Sequence, residues 1–461
     1  MSTTKIFKRV PAQVLFAAIS SLILGACVGD ADPIGASTGS AGASVTSGGA
    51  TGTSGGSSTT SGSSGSSKPS TTTAVQIVSP AFYVSPSGSD SNSGASPSEA
   101  FQTLEKAQAA MRASSTKTAY LMSGTYMRSA AIDLQPSDAN EAWLGYPGQT
   151  PVLNGKSTTN YAFGIHTTGI TVRGITIKSF ATIGILAQYA SNVTIDSNHV
   201  ADIYSNAWSQ GAIVLGNSIS NATVTHNFID NINYGGVVAV NVVGDTLENV
   251  LIENNSISNT CLSVADCGAI YADNRGHNAS NIVIHNNVIS HYGTTSNESK
   301  GIYLDDEISH VSVTNNIISG TGMFGLQIHG GDHNVFRNNV FDISGATQLA
   351  LYEYDGDTYP NYGMSGNEFT CNIVYSSASP PYELWHTTLV AQDTLPNVNG
   401  NIYWDTRASL PNIGVVDTAP IIQNPDFINA NQANYGFAAS PPSSCGFSPI
   451  DTSQVGPVAG S

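Results

Sequence analysis

Four short stretches between Gly268 and Tyr354 carry, at matching places, side chains able to do acid–base chemistry. They are Ala269-Ile-Tyr-Ala-Asp273, Gly301-Ile-Tyr-Leu-Asp305, Gly325-Leu-Gln-Ile-His329 and a looser copy, Gln348-Leu-Ala-Leu-Tyr352. In each, the second and fourth residues are apolar or small, which is the period of a strand with one face in a core. If the four strands lie side by side, Asp273 and Asp305 stand on neighbouring rungs about 4.8 Å apart. Two carboxylates that close do not readily both ionise, so one should hold its proton. An acid and a base drawn from one residue type is the pairing that breaks glycosidic bonds. Asp306 adds a carboxylate at the turn, and His329 could orient a hydroxyl or move a proton. Tyr271 and Tyr303 offer flat faces to a sugar ring, with Gln327, Tyr352, Glu353 and Arg275 as further substrate contacts. His277 and Lys300 flank the strip.

Earlier copies of the same strand are Gly184-Ile-Leu-Ala-Gln188, Ala212-Ile-Val-Leu-Gly216 and Gly236-Val-Val-Ala-Val240. The outward fifth position then reads Gln188, Gly216, Val240, Asp273, Asp305, His329, Tyr352. The column is bland in its early copies and chemically rich in its later ones. A second strand follows each copy and ends in Asn: Asn198, Asn227, Asn255, Asn287, Asn316, Asn339 and Asn372, spaced by 29, 28, 32, 29, 23 and 33 residues. Repeats of that length mark a solenoid. Stacked coils would set these Asn side chains in a ladder, bonding one another and the backbone, which is a structural role. Low charge, at 10%, with 46 Gly among many β-branched residues argues for an all-β chain rich in turns.

The first 27 residues read as a targeting segment, with Lys5, Lys8 and Arg9 ahead of an apolar run from Val14 to Leu24. That run is short of the roughly 20 residues a spanning helix needs. Leu24-Gly25-Ala26-Cys27 resembles the bacterial lipobox, which implies lipidation of Cys27 and, with Val28 and Gly29 following, an outer-membrane or cell-surface destination. An ordinary cleaved signal peptide is the alternative. Without the leader, 12 Lys and Arg face 32 Asp and Glu, a formal charge of −20. Such a surface excludes nucleic acid, leaves the lipid anchor as the only membrane contact, and disfavours a strongly anionic glycan unless a cation bridges the two. Residues 28–78, rich in Gly, Ser and Thr, read as a flexible linker. Four more cysteines remain: Cys261 and Cys267 are placed to staple one loop, and Cys371 with Cys445 to pin the tail. No His accompanies them at zinc-ligand spacing, and no metal is assigned.

The opening of the folded part, Tyr83-Val-Ser-Pro-Ser-Gly-Ser-Asp, then Leu121-Met-Ser-Gly-Thr-Tyr126, Tyr146-Pro-Gly and Pro151-Val-Leu-Asn-Gly155, resembles secreted proteins of the pectate-lyase-like superfamily. That resemblance implies a single-stranded right-handed parallel β-helix over residues 79–430. A short amphipathic helix within residues 100–113 would cap its open end. Asn434 to Pro441 and Pro449-Ile-Asp451 resemble the closing segment of such proteins, a tail over 431–461 on the last coils. Asp273, then Asp305-Asp306, then His329-Gly330 also loosely resemble the ordered motifs of polygalacturonase-type glycoside hydrolases. The chain lacks that family's Asn-Thr-Asp, a Gly before His329 and the basic Arg-Ile-Lys motif, so only reaction type carries over. The resemblance makes Asp305 or Asp306 the acid and lets Asp273 help activate water. The reading is therefore a monomeric polysaccharide-degrading hydrolase needing no cofactor. Its first alternative is a uronate lyase, with Asp273, Asp305, Asp306 and Glu307 holding Ca²⁺ and Lys300, Arg275, His329 or Tyr352 as base. A non-catalytic glycan-binding solenoid is the second.

Overall fold

The computed structural model describes residues 77–275, 278–294, 298–346, 348–354, 364–377, 384–388, 395–405, 417–442 and 444–458. The leader with Cys27, most of the linker and His277 lie outside the described residues.

Short β-branched segments separated by left-handed turn residues give each coil three strands. In one coil these are Ser299–Asp305, Ser309–Thr314 and Ile317–Ser319. Every strand pairing is parallel to the equivalent strand of the next coil, apart from one antiparallel hairpin, Phe427–Asn429 with Asn434–Phe437, among the described residues. The strands that matter for the site are β1 (Gly235–Asn241), β2 (Cys267–Asn274), β3 (Ser299–Asp305), β4 (Phe324–His329) and β5 (Gln348–Glu353). Their register is Ile270 on Ile302 and Ile302 on Leu326, so like side chains stack along the axis. The inward residues of all three strand columns, among them Ile302, Val313 and Ile318, form one continuous buried core. Each such side chain taken from water contributes roughly 1.5–3 kcal/mol.

The expected Asn ladder is present. Asn287 Nδ2 donates to Asn316 Oδ1 at 2.9 Å and to the Ile252 carbonyl at 2.9 Å, and the pattern repeats from Asn198 to Asn401. The ladder ends on Asp417, whose Oδ2 accepts from Asn401 Nδ2 at 3.0 Å. These amides satisfy backbone groups that the turn leaves buried and unpaired.

Helix α1 (Leu104–Arg112) lies inside the expected span and packs on the first strands, Phe82–Val84 and Thr118–Leu121. Leu104, Ala107 and Met111 are buried. So is Gln108, the polar break in the apolar stripe, because its Nε2 donates to the Asp133 carbonyl at 2.8 Å. Both disulfides form as paired in the sequence, Cys261–Cys267 and Cys371–Cys445. The tail goes further than the last coils. From Cys445 it runs back along the turn column, bonding Asn338 through Ser448, Asn286 through Asp451, Asn254 through Gly456 and Ser197 through Val458.

Candidate active site

Register sets the outward column. Val240 lies beside Asp273, and Asp273 beside Asp305. His329 follows on the next rung, with Nδ1 2.6 Å from Asp305 Oδ1. The fourth copy departs from the expected alignment. Ile328 pairs with Tyr352 and His329 with Glu353, so the outward residue there is Glu353. A slip of one residue sends a strand's side chains to the opposite face. Tyr352 is thus a core residue, packed edge-on to Trp385, with its hydroxyl donating to the Met364 carbonyl at 3.1 Å. It is withdrawn as a substrate contact.

Tyr271 and Tyr303 do point outward, but neither presents a free face. Their rings meet edge to face at 5.1 Å, and Lys300 Nζ sits 4.0 Å above the centre of the Tyr303 ring. Lys300 is fully buried, held by Asp266 at 3.0 Å and Glu298 at 3.1 Å. Asp266 stands in the loop that the Cys261–Cys267 disulfide closes. Gln327 is also fully buried, with Nε2 donating to Glu353 Oε2 at 2.5 Å. Platforms for a sugar ring were expected; this strip is instead a packed layer of aromatic and polar side chains. A single strand's alternation shows which way a side chain points, and says nothing of what other loops lay over it. The Lys300 cluster was missed for that reason.

What remains partly open is the rim. The Asp306 and Arg275 side chains are each 14% exposed, against 9% for Asp305, 7% for His329 and 2% for Asp273. Asp306 and Glu307 turn the chain with φ of 36° and 68°, a conformation that costs a non-Gly residue of order 1 kcal/mol or more. The backbone N–H of Asp306 donates to Asp305 Oδ1 at 3.0 Å, which fastens this tight corner. Glu307 is buried beneath Gly330, where a Cβ would lie 2.5 Å from Glu307 Oε1, so the turn after β4 needs glycine there.

Charge in the cluster is nearly self-balanced. Arg275 bridges Asp273, at 3.0 Å, and Asp306. Tyr271 donates its hydroxyl to Asp305 Oδ2 at 2.8 Å. Burial works against an ionised Asp305, yet the hydrogen bond and charge of His329, with the Tyr271 hydroxyl, hold its carboxyl well below the usual range. Burial would also lower His329, but Asp305 outweighs it and pushes the imidazole up to about 9. Asp306 goes the other way: burial and then the neighbouring Asp305 charge raise it to about 6, against the pull of Arg275. Burial raises Asp273 well above the carboxylate range despite Arg275. One carboxylate is thus firmly ionised beside others that keep a proton more readily. Asp305, Asp306 and His329 offer ligand atoms within 4.8 Å of one another. His329 and Arg275 already supply the positive charge there, so the trio forms an ion-pair network in its own right.

The family model described as right handed beta helix region matches residues 161–341. The fold is a right-handed parallel β-helix. A search of curated proteins returns no match. Among solved structures, the A-module of the Azotobacter vinelandii mannuronan C-5 epimerase AlgE6 is similar at 16% identity over 69% of this chain and 92% of that one, with a TM-score of 0.48. The GH136 lacto-N-biosidase of Eubacterium ramulus is similar at 11% identity over 74% and 66%, with a TM-score of 0.44. The catalytic unit of a GH87 alpha-1,3-glucanase from Streptomyces thermodiastaticus is similar at 12% identity over 76% and 71%, with a TM-score of 0.45. All three likenesses are slight.

Proposed function

We propose that this β-helix is a glycoside hydrolase acting on a polysaccharide of low charge at the rim formed by Asp305, Asp306, Arg275 and His329. The observation that carries the reading is the pair of adjacent carboxyl groups whose environments drive their proton affinities apart, Asp305 down and Asp306 up to about 6. Asp306 is the more exposed of the two and gives its proton to the leaving glycosidic oxygen as the C–O bond breaks. Asp305, already ionised, attacks the anomeric carbon from the other side. Asp306, now a carboxylate, then takes a proton from the water that releases the sugar. This double displacement would retain the anomeric configuration. Asp273, whose side chain is 2% exposed, acts through Arg275 as a positioning residue and not as the activator of water.

A uronate lyase would need Asp273, Asp305 and Asp306 to hold Ca²⁺ against the substrate carboxylate. Here Arg275 already pairs with Asp273 and Asp306, and His329 with Asp305, which favours the hydrolase. The lipobox-like Leu24-Gly-Ala-Cys27 supports export and lipid anchoring, so that the enzyme would meet its glycan at the cell surface. Replacing Cys27 with Ser should abolish incorporation of labelled fatty acid; persistent labelling refutes the anchor.

The test is a panel of neutral and uronate glycans, each with and without EDTA. New reducing ends with no ultraviolet-absorbing unsaturated product, unaffected by EDTA, are expected. An unsaturated product would mean lyase, and binding with no product would mean a glycan-binding solenoid.

A further inference from the structure

Where the chain enters its second strand a residue takes the left-handed conformation, and in most of these coils it is Asn. Asn192, Asn221, Asn249 and Asn281 occupy it at φ between 48° and 55°. Asn suits the place, since its short polar side chain tolerates that backbone. On the next two coils the residue is His instead, His310 at φ 61° and His333 at φ 52°. The residue before it is Ser in most coils and Asp332 ahead of His333. A β-helix forces equivalent side chains to stack, and these two imidazoles lie parallel, with ring centres 5.0 Å apart and planes 22° from each other. Both turn Nδ1 toward one oxygen, Asp332 Oδ1, at 3.9 Å from His310 and 3.3 Å from His333. Gly366 follows on the coil beyond, and a Cβ there would meet the His333 ring at 2.8 Å. The missing side chain leaves the ring its space.

We propose that His310, Asp332 and His333 form a surface site for a divalent transition-metal ion of the zinc type, separate from the catalytic rim. Their ligand atoms lie within 4.8 Å of one another, and their side chains, 45%, 37% and 56% exposed, are free to close on an ion with water completing its shell. Two imidazoles and one carboxylate suit Zn²⁺, Co²⁺ or Ni²⁺, whereas Ca²⁺ and Mg²⁺ take oxygen ligands. The backbone is already set. The His310 N–H donates to the Asp332 carbonyl at 3.0 Å, and the Asp332 N–H to Ser309 Oγ at 3.0 Å. The site also joins two turns that begin at the catalytic rim, the one from Asp305 to His310 and the one from His329 to His333. A bound ion clips them together at their far ends.

The experiment is calorimetric titration of Zn²⁺ into the untagged full chain, after EDTA treatment and dialysis, against the double variant His310→Asn, His333→Asn. Asn is what neighbouring coils carry at this place, so the variant keeps the turn. The wild type should bind one more equivalent than the variant, and Zn²⁺ should raise the melting temperature of the wild type alone. Excess Ca²⁺ should not displace the ion. Equal stoichiometry in the two proteins, no Zn²⁺ bound by the wild type, or displacement by Ca²⁺ overturns the site.

Discussion

Removing the Asp305 charge should release His329. In the native chain the imidazole stands at about 9 in place of 6.5 because the Asp305 hydrogen bond and charge overcome burial. A shift of that size, at about 1.4 kcal/mol per unit, represents on the order of 3 kcal/mol of interaction. Solvent screens little of it, since the two side chains are 7% and 9% exposed. The sign is that of a base with a raised folded value. The stabilisation is complete below the unfolded value of 6.5 and disappears as pH rises through about 9. In Asp305→Asn both contributions vanish and burial pulls the imidazole down, against the charges of Asp306 and Glu353. A histidine Cε1–H titration by NMR should place His329 near 9 in the wild type and at least about two units lower in the variant. Urea denaturation should show the wild type losing about 3 kcal/mol between pH 6.5 and 10, a loss the variant escapes. A wild-type His329 titrating near 6.5, or the same value in both proteins, would refute the ion pair.

Three further outcomes follow from the same geometry. Hydrolysis should decline as pH rises through about 6, where Asp306 loses the proton it must donate, while Asp305 stays ionised throughout; a rate that climbs across that range contradicts the acid assignment. Asn287→Ala should cost about 1–3 kcal/mol in denaturant titration, because it removes the acceptor of the buried Asn255 N–H. Replacing Cys371 and Cys445 by Ser opens a crosslink spanning 74 residues and should cost about 4 kcal/mol under oxidising conditions, read as a lower denaturation midpoint.

Much of the coil was legible in the chain because a solenoid repeats one local solution. The Asn residues at intervals of 23 to 33 marked the ladder, and the alternating strands placed Asp273 beside Asp305 and His329 beyond it. What stayed hidden was what several segments build together. Gln348 begins a copy that looks in phase, yet Phe324 pairs with it, so the phase runs one residue late and Tyr352 turns inward. Tyr271 and Tyr303 alternate as exposed residues do, but their rings pack on each other, and Lys300 of the same strand covers Tyr303 while Asp266 and Glu298 hold it there. The tail's path from Asn338 back to Ser197, across six coils, depends on local contacts, such as Asn338 with Ser448, that no periodicity announces. His310 and His333 are visible only once the turn column has been aligned, for the sequence scatters them among ordinary loop residues.

If Asp305 and Asp306 cut glycosidic bonds, the initial rate of reducing-end release by Asp305→Asn, measured beside the wild type on one accepted polysaccharide at pH 5.5 with glycan affinity in parallel, should fall about 10²-fold or more at nearly unchanged affinity and an intact fold. A variant that keeps most of its rate, or that loses rate and affinity together, would contradict it.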